Sequence, residues 1–182
     1  MNKVQPIRDY SLILKLKAYL KAQNPRDYFL FLLGTNTASR IADILPLTVS
    51  SVRSPYIELK ERKTGKTKRY LVNDEFKAEI RAYTKDMNPD DLLFPSRKGK
   101  GAKPLSRVQA WRIMKEAATA VGIVENIGTH TLRKTFGYWH YKKFKDVALL
   151  QQLLNHSSQR ETLIYIGIAQ DEIDDTLKDF FI

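Results

Sequence analysis

Five separated elements of the 182-residue chain carry side chains that could take part in chemistry. They are Ser39–Asp43, Lys63–Lys66, His130–Arg133, Leu154–Ser158 and Tyr165. His130 and Arg133 are three residues apart, so on a helix they would share a face. Thr129 or Thr131 could cap the start of that helix, where backbone N–H groups and the helix dipole favour a phosphate. Taken alone, the pair is more typical of a salt-bridged helix surface.

His156 and Tyr165 are nine residues apart. On one straight helix of 3.6 residues per turn they would point to opposite sides, so they can cooperate only if the helix is broken between them. The segment Asn155–Ser158 predicts such a break, because its side chains compete with helical backbone hydrogen bonds.

The charge of the chain indicates which kind of partner it could bind. Lys and Arg number 31 against 20 Asp and Glu, for a net charge of +11. This excess favours a polyanion such as nucleic acid, although a merely soluble cationic surface would have the same composition. The chain has no cysteine, which excludes disulfides and thiolate metal sites.

The elements that must position these residues form one continuous domain. Segments 56–62 and 67–73 alternate polar and apolar residues around Lys63–Lys66 and predict a β-hairpin with Gly65 supplying a positive φ. Apolar spacing predicts a short helix from Arg40 to Leu45, a helix capped by Asn73 or Asp74, and a helix that begins after Ser106. It also predicts helices over residues 12–20, 28–33, 131–143, 146–154 and 159–167.

Local details of these helices are also predicted. Pro25 is expected in the first turn of the second helix, and Gly34 with Asn36 is expected to end it. The helix after Ser106 is expected to present an apolar face of Val108, Trp111, Met114, Ala118 and Val121. The basic stretch 96–103 is expected to be a mobile loop, either solvated or in contact with phosphate.

Two enzymatic alternatives fit poorly. Gly65-Lys66-Thr67 is similar to the end of a phosphate-binding P-loop, but that loop requires a glycine at position 60, which is Lys. A metal-dependent nuclease requires spaced carboxylates on a scaffold, whereas Asp90 and Asp91 are adjacent to a proline in a predicted loop.

Taken together and in order, the five elements resemble the active site of the tyrosine recombinase (phage integrase) family, which runs Arg, Lys, His-x-x-Arg, His, Tyr. The resemblance extends from about residue 26 to the C-terminus. It includes His-x-Leu-Arg-x-Thr at 130–135, Leu-x-His-Ser-Ser at 154–158 and Leu-Phe-Pro at 93–95. It implies a mostly α-helical α+β catalytic domain with a small antiparallel sheet.

The resemblance implies a site-specific recombinase or integrase that breaks and rejoins DNA without metal, ATP or cofactor. Arg40 and Arg133 would grip the scissile phosphate, and Tyr165 would attack it to form a 3′-phosphotyrosine. His130 would act as base. Neighbouring cations are expected to lower the pKa of the phenol.

The remaining site residues also follow from the resemblance. Lys63 would be the general acid, with a pKa lowered by the arginines, although a neighbouring lysine (Lys60, Lys66 or Lys68) could act instead. His156 would bind the phosphate or orient its neighbours. Asp43 would brace the helix of Arg40, or else be an ordinary surface carboxylate. Independently of the resemblance, the positive charge of the chain favours contacts with duplex DNA from Lys66, Arg97, Lys98, Lys100 and Lys103.

The two ends of the chain are considered separately from the family motifs. Typical members carry an N-terminal DNA-clamping domain, and we expect none here, so that residues 1–182 form a single catalytic domain. The tail 171–182 predicts an amphipathic helix that packs on its own domain or on a neighbouring subunit.

We expect a monomer in free solution, a tetramer on DNA, and action in a bacterial or phage-infected cytoplasm at the nucleoid, as part of a mobile element. The compact hairpin and the His-Ser-Ser context look more like bacterial or phage recombinases than type IB topoisomerases. The alternative is a catalytically silent DNA-binding or interaction module descended from such an enzyme.

Overall fold

The computed structural model describes residues 4–62, 65–98, 101–168, 175, 177, 178, 180 and 181. Its elements follow in the order α1 (Tyr10–Gln23), α2 (Pro25–Asn36), α3 (Ile41–Ile44), α4 (Ser50–Arg53), β1 (Tyr56–Lys60), β2 (Thr67–Leu71), α5 (Asp74–Thr84), α6 (Arg107–Ala120), α7 (Thr129–Phe144), α8 (Val147–Leu154) and α9 (Gln159–Ile166). This is the mostly helical α+β architecture with one small antiparallel sheet that the sequence predicts. None of the helices in the described part of the chain has the length and apolar character needed to cross a lipid bilayer.

Helices α2 and α7 form the centre of the molecule. Every residue of α2 from Tyr28 to Gly34 is buried. The two helices approach closely at Gly34, where an added Cβ would lie 2.5 Å from Cδ1 of Leu132 on α7. The predicted end of the second helix is therefore correct at Asn36, its last residue, and wrong at Gly34, which lies within it. The helix continues to Asn36 because packing against α7 outweighs the low helix propensity of glycine.

Three helices begin where the sequence predicts, and each is capped by the side chain of the residue before it. Asn24 accepts a hydrogen bond from the backbone N–H of Arg26, and Pro25 occupies the first turn of α2. Asn73 caps α5 and Ser106 caps α6 in the same way. Each cap satisfies an N–H group that the helix itself leaves unpaired.

The predicted apolar face of α6 is partly wrong. Val108 is 58 % exposed and Trp111 is 40 % exposed. The buried face consists of Ala110, Ile113, Met114, Ala117 and Ala118. Three alanines let α6 lie close to the core, and the two larger side chains remain at the margin of its apolar stripe.

The β-hairpin turns one face towards the core. Ile57, Leu59 and Tyr70 are buried on this face, and Lys68 lies opposite Leu59 in the antiparallel register. Glu61 continues the same alternation beyond β1 and is 2 % exposed. Its backbone closes the turn, since its N–H donates to the carbonyl of residue 66 and its carbonyl accepts from the N–H of residue 65.

The predicted break between His156 and Tyr165 is present. Helix α8 ends at Leu154, and Asn155 adopts a left-handed conformation with φ of 50°. Helix α9 then begins after Ser158, whose hydroxyl accepts a hydrogen bond from a backbone N–H of its first turn. The break turns the chain so that α9 packs on α7, where Ile166 lies against Gly137.

Most of the predicted tail helix 171–182 lies outside the described residues. Among those that are described, Leu177, Phe180 and Phe181 are exposed. Lys178 donates to Asp175 at 2.6 Å and lowers its pKa, with a smaller contribution from lysines at the end of α7.

Candidate active site

Arg40 and Arg133 bring their guanidinium groups into one pocket. Arg133 is 2 % exposed, and its Nη2 donates to the backbone carbonyl of Leu154. Arg40 immediately precedes α3, and its Nη1 lies 3.1 Å from Oε1 of Glu61. Nη1 of Arg133 lies 4.0 Å from the same oxygen. Because both groups reach one carboxylate oxygen, these two residues, 93 positions apart in sequence, share a single site.

Three buried hydrogen-bond donors of this site have no hydrogen-bond partner among the described residues: Nη1 of Arg40, Nη1 of Arg133 and the hydroxyl of Tyr165. The contacts of the two arginines with Glu61 are ion pairs without hydrogen-bond geometry. Buried polar groups in folded proteins are nearly always hydrogen-bonded, so these atoms mark a place for a polar ligand. Guanidinium groups select for an anion such as phosphate.

Glu61 is a residue of this site that the sequence analysis did not single out. Its Oε1 contacts Arg40 and Nζ of Lys68, both at 3.1 Å, and its Oε2 accepts from Nδ2 of Asn155 at 3.4 Å. A signal was available, since the period-two alternation of β1 places residue 61 on the buried face. A buried carboxylate requires paired cations, and here it offsets part of the positive charge of the site.

Lys68 is a second residue brought in by the hairpin. Besides contacting Glu61, its Nζ donates to a backbone carbonyl of α8. Burial lowers the pKa of Lys68, and Glu61 opposes that shift. Lys63, the predicted general acid, lies outside the described residues, while Lys60 and Lys66 are exposed.

Tyr165 lies on α9 with its hydroxyl buried and within electrostatic reach of Arg133 and Arg40. Burial raises the pKa of the phenol, while Arg133 and Arg40 lower it. The expected effect of the cations is therefore present, but the expected net direction is wrong for the protein alone, because desolvation of the phenolate outweighs it.

His156 contacts the nucleophile candidate directly. Its ring centroid lies 4.9 Å from that of Tyr165, with an interplanar angle of 73°. Nδ1 of His156 is 3.1 Å from the hydroxyl of Thr162, which itself donates to the carbonyl of Ser158. Because that hydroxyl has one proton to donate, Nδ1 is best assigned as the donor, which leaves Nε2 of the neutral ring as an acceptor.

His130 and Lys134 border an open cleft of about 640 Å³ beside Tyr165. His130 is exposed, yet desolvation of its ring lowers its pKa, with further lowering by Arg133, Arg40 and Lys134. Lys134 is 8 % exposed, and its Nζ lies 5.0 Å from the centroid of the Tyr165 ring. Lys134 was not predicted from the sequence, although it lies four residues after His130 and therefore on the same face of α7.

Comparison with known proteins shows which family the chain belongs to. The sequence profile described as the phage integrase family matches residues 8–172. The chain belongs to the phage integrase family. It is a tyrosine recombinase, as its resemblance predicted.

Relatives of this tyrosine recombinase differ in length. It is 51 % identical over 172 residues to the probable integrase/recombinase YoeC of Bacillus subtilis (strain 168), covering 94 % of this chain and 93 % of that protein. It is 33 % identical over 152 residues to the type 1 fimbriae regulatory protein FimE of Escherichia coli (strain K12), covering 79 % and 75 %. Against tyrosine recombinase XerA of Pyrococcus furiosus the identity is 24 % over 169 residues, and the chain spans 58 % of that protein.

Solved structures share the fold. The crystal structure of XerA recombinase matches with a TM-score of 0.75 at 20 % identity, covering all of this chain and 68 % of that one. A lambda integrase tetramer bound to a Holliday junction matches with a TM-score of 0.70 at 18 % identity, covering 91 % and 49 %.

Asp43 links α3, which follows Arg40, to the hairpin that carries Lys68 in this recombinase. It is 5 % exposed and is therefore not a surface carboxylate. Its Oδ1 accepts a hydrogen bond of 3.0 Å from the backbone N–H of Arg62. This bond fixes the end of β1 against α3, which follows Arg40 directly.

The predicted DNA-contact residues of the recombinase that the structure describes are exposed, and Lys66 adjoins the buried site because its Nζ donates to Oδ1 of Asn155 at 3.4 Å. Lys66, Arg97, Lys98 and Lys103 are exposed, and Lys100 lies outside the described residues. The basic loop is closed at its base, where the backbone N–H of Ser96 donates to the carbonyl of Lys103 at 2.8 Å. Among the described residues, no group of three or more His, Asp or Glu is gathered to hold a metal ion.

Proposed function

We propose that this tyrosine recombinase cleaves and rejoins duplex DNA at a specific site through a covalent 3′-phosphotyrosine at Tyr165. The observation that carries the proposal is the placement of Arg40, Arg133 and Tyr165 within electrostatic reach of one another, with buried Nη1 and hydroxyl atoms that have no hydrogen-bond partner in the described part of the chain. A phosphate between the guanidinium groups would accept the hydrogen bonds that these donors offer. It would also lie beside the phenol oxygen.

The reaction is an exchange of phosphate esters. The phenol oxygen of Tyr165 attacks phosphorus, the bond from phosphorus to the 5′-oxygen breaks, and the 5′-oxygen takes up a proton to leave as a hydroxyl. The new ester retains the free energy of the phosphodiester bond, so no ATP is needed. Rejoining is the same reaction in reverse, with a 5′-hydroxyl as the attacking group.

Arg40 and Arg133 would stabilise the transition state. The nonbridging oxygens gain negative charge as the phenol attacks, and guanidinium groups remain protonated throughout the working pH range. Both side chains are held before DNA arrives, by Glu61 and, for Arg133, by a backbone carbonyl as well. They can therefore act with little reorganisation.

Proton transfer needs a base and an acid. His130 would take the phenol proton, since its lowered pKa keeps the ring neutral near pH 7 and able to accept. Lys63 would protonate the leaving 5′-oxygen. Lys68 is the second candidate for this role, because it reaches the buried site and its pKa is lowered towards the range in which an ammonium group can donate.

Binding to DNA would rest largely on charge. With a net charge of +11, the protein would release counterions from the phosphate backbone, so its affinity would fall with added salt. Lys66, Arg97, Lys98, Lys100 and Lys103 would contribute to these contacts.

We also propose a monomer in solution that assembles into a tetramer on DNA, with the tail 171–182 packing onto a neighbouring subunit. The tetrameric state of the lambda integrase neighbour on a Holliday junction supports this proposal. The site of action would be the nucleoid of a bacterial or phage-infected cytoplasm. Sedimentation with and without a synaptic DNA substrate tests it, and an unchanged monomer on that DNA argues against assembly.

The decisive assay uses a nicked suicide substrate, from which the cleaved strand diffuses away and the covalent intermediate accumulates. Wild type should give a protein–DNA adduct on a denaturing gel, unaffected by a metal chelator, and Tyr165→Phe should give none. An adduct that persists in Tyr165→Phe would assign the nucleophile to another residue. DNA binding without any adduct from wild type would support the silent binding module instead.

The general acid can be identified with a substrate whose 5′-bridging oxygen is replaced by sulfur. A thiolate leaves without a proton, so this substrate restores cleavage to a variant that lacks only the acid. We expect such rescue for Lys63→Ala and not for Lys68→Ala. The opposite pattern would move the role to Lys68.

A further inference from the structure

Glu61 is the acidic group of the cationic site, and its placement is specific. One carboxylate oxygen is shared by Arg40 and Lys68 at 3.1 Å and approached by Arg133 at 4.0 Å. The other oxygen accepts from Asn155, which ends α8. The carboxylate therefore touches cations from α7, from β2 and from the start of α3, and it also touches the segment that leads to α9.

The need for such a group follows from electrostatics. Two guanidinium groups and an ammonium group repel one another in a pocket with little solvent, and without an anion they would separate. A DNA phosphate would hold them together only after it had bound. Glu61 supplies a carboxylate that is in place before DNA binds, and its backbone hydrogen bonds to residues 65 and 66 fix it in the hairpin.

We propose that Glu61 is a positioning residue of the recombination reaction, a built-in counterion that holds Arg40 and Arg133 in the geometry that a scissile phosphate requires. This inference rests on the proposed function. The role has a distinctive consequence, because the same carboxylate repels the incoming phosphate. Glu61 therefore weakens binding of DNA while it accelerates cleavage.

The test compares Glu61→Gln with Glu58→Gln, a matched control that removes the same charge from an exposed position of β1. Duplex DNA affinity is measured by fluorescence anisotropy at several salt concentrations, and single-turnover cleavage is measured on the suicide substrate. For Glu61→Gln we expect a DNA affinity equal to that of wild type or several-fold tighter. The salt dependence of binding should be steeper, by up to the equivalent of about one phosphate contact. Cleavage should be about 10–100-fold slower than in wild type. Glu58→Gln should cleave like wild type.

Glu61→Asp provides a second measurement should Glu61→Gln fold poorly. It keeps the charge but withdraws it by one methylene, so DNA affinity should match wild type while cleavage slows. Wild-type cleavage by either Glu61 variant, or parallel loss of affinity and cleavage in a folded Glu61→Gln, would overturn the proposal. Absence of an adduct from wild type would instead refute the proposed function, and the affinity comparison would still report on Glu61.

Discussion

Substituting Gly137 by alanine should disable the site from a distance. Gly137 lies on α7 and faces α9, the helix that carries Tyr165. An added Cβ would lie 2.7 Å from Cγ2 of Ile166 and 3.5 Å from Cδ1 of Leu154. The second distance is an ordinary contact, whereas the first requires Ile166 to retreat by roughly 0.8 Å to reach optimal separation. Because Ile166 is fully buried and adjoins Tyr165, the retreat should displace Tyr165, the proposed nucleophile.

The magnitudes follow from this displacement. Overpacking of a core typically costs about 1–3 kcal/mol in the free energy of unfolding. In a domain of this size each kcal/mol lowers Tm by roughly 2–4 °C. A nucleophile misplaced by nearly 1 Å can slow the chemical step by about 100-fold. We therefore expect Gly137→Ala to remain folded, with a modest loss of Tm and a cleavage rate reduced by about 10–100-fold.

Thermal unfolding and single-turnover cleavage on the suicide substrate measure the two effects. The matched test is a double-mutant cycle with Ile166→Ala, which removes the clashing Cγ2 atom. The cost of Gly137→Ala in stability should be smaller in that background than in wild type. Additive costs, or a Gly137→Ala variant that loses stability yet cleaves at the wild-type rate, would refute the link between this contact and the position of Tyr165.

Two further predictions concern ionisation. Lys134→Met removes a positive charge, so it should raise the pKa of His130 and move the acidic limb of the cleavage pH profile to higher pH. Lys142→Met, an exposed change on the same helix, should leave the profile unchanged. Superimposable profiles for Lys134→Met and wild type would contradict an effect of Lys134 on His130. Desolvation lowers the pKa values of His130, His140 and His156, so the unfolded chain binds more protons than the folded protein as pH falls through about 6.5. The free energy of unfolding, measured with urea, should therefore decrease as pH falls from 7.5 to 5.5. The decrease should be less steep in His140→Gln. A stability that stays flat or rises would show that these histidines are not desolvated in solution.

The sequence alone determined the family and most of the local structure. Helix starts at Asn24-Pro25, Asn73 and Ser106 could be predicted because a cap depends on residues that are neighbours in the chain. The break between His156 and Tyr165 was predictable for the same reason. The order of the motifs identified a tyrosine recombinase, as the comparisons establish.

Only the tertiary structure decided what surrounds each side chain. Gly34 continues a helix because α7 packs on it, and Val108 is exposed because alanines of α6 occupy the core instead. Glu61 becomes part of the site through cations that are distant in sequence, and burial reverses the expected pKa direction of Tyr165. The physical reason is common to all four: helix and strand patterns depend on local spacing, whereas burial and pKa depend on groups that only the fold brings together.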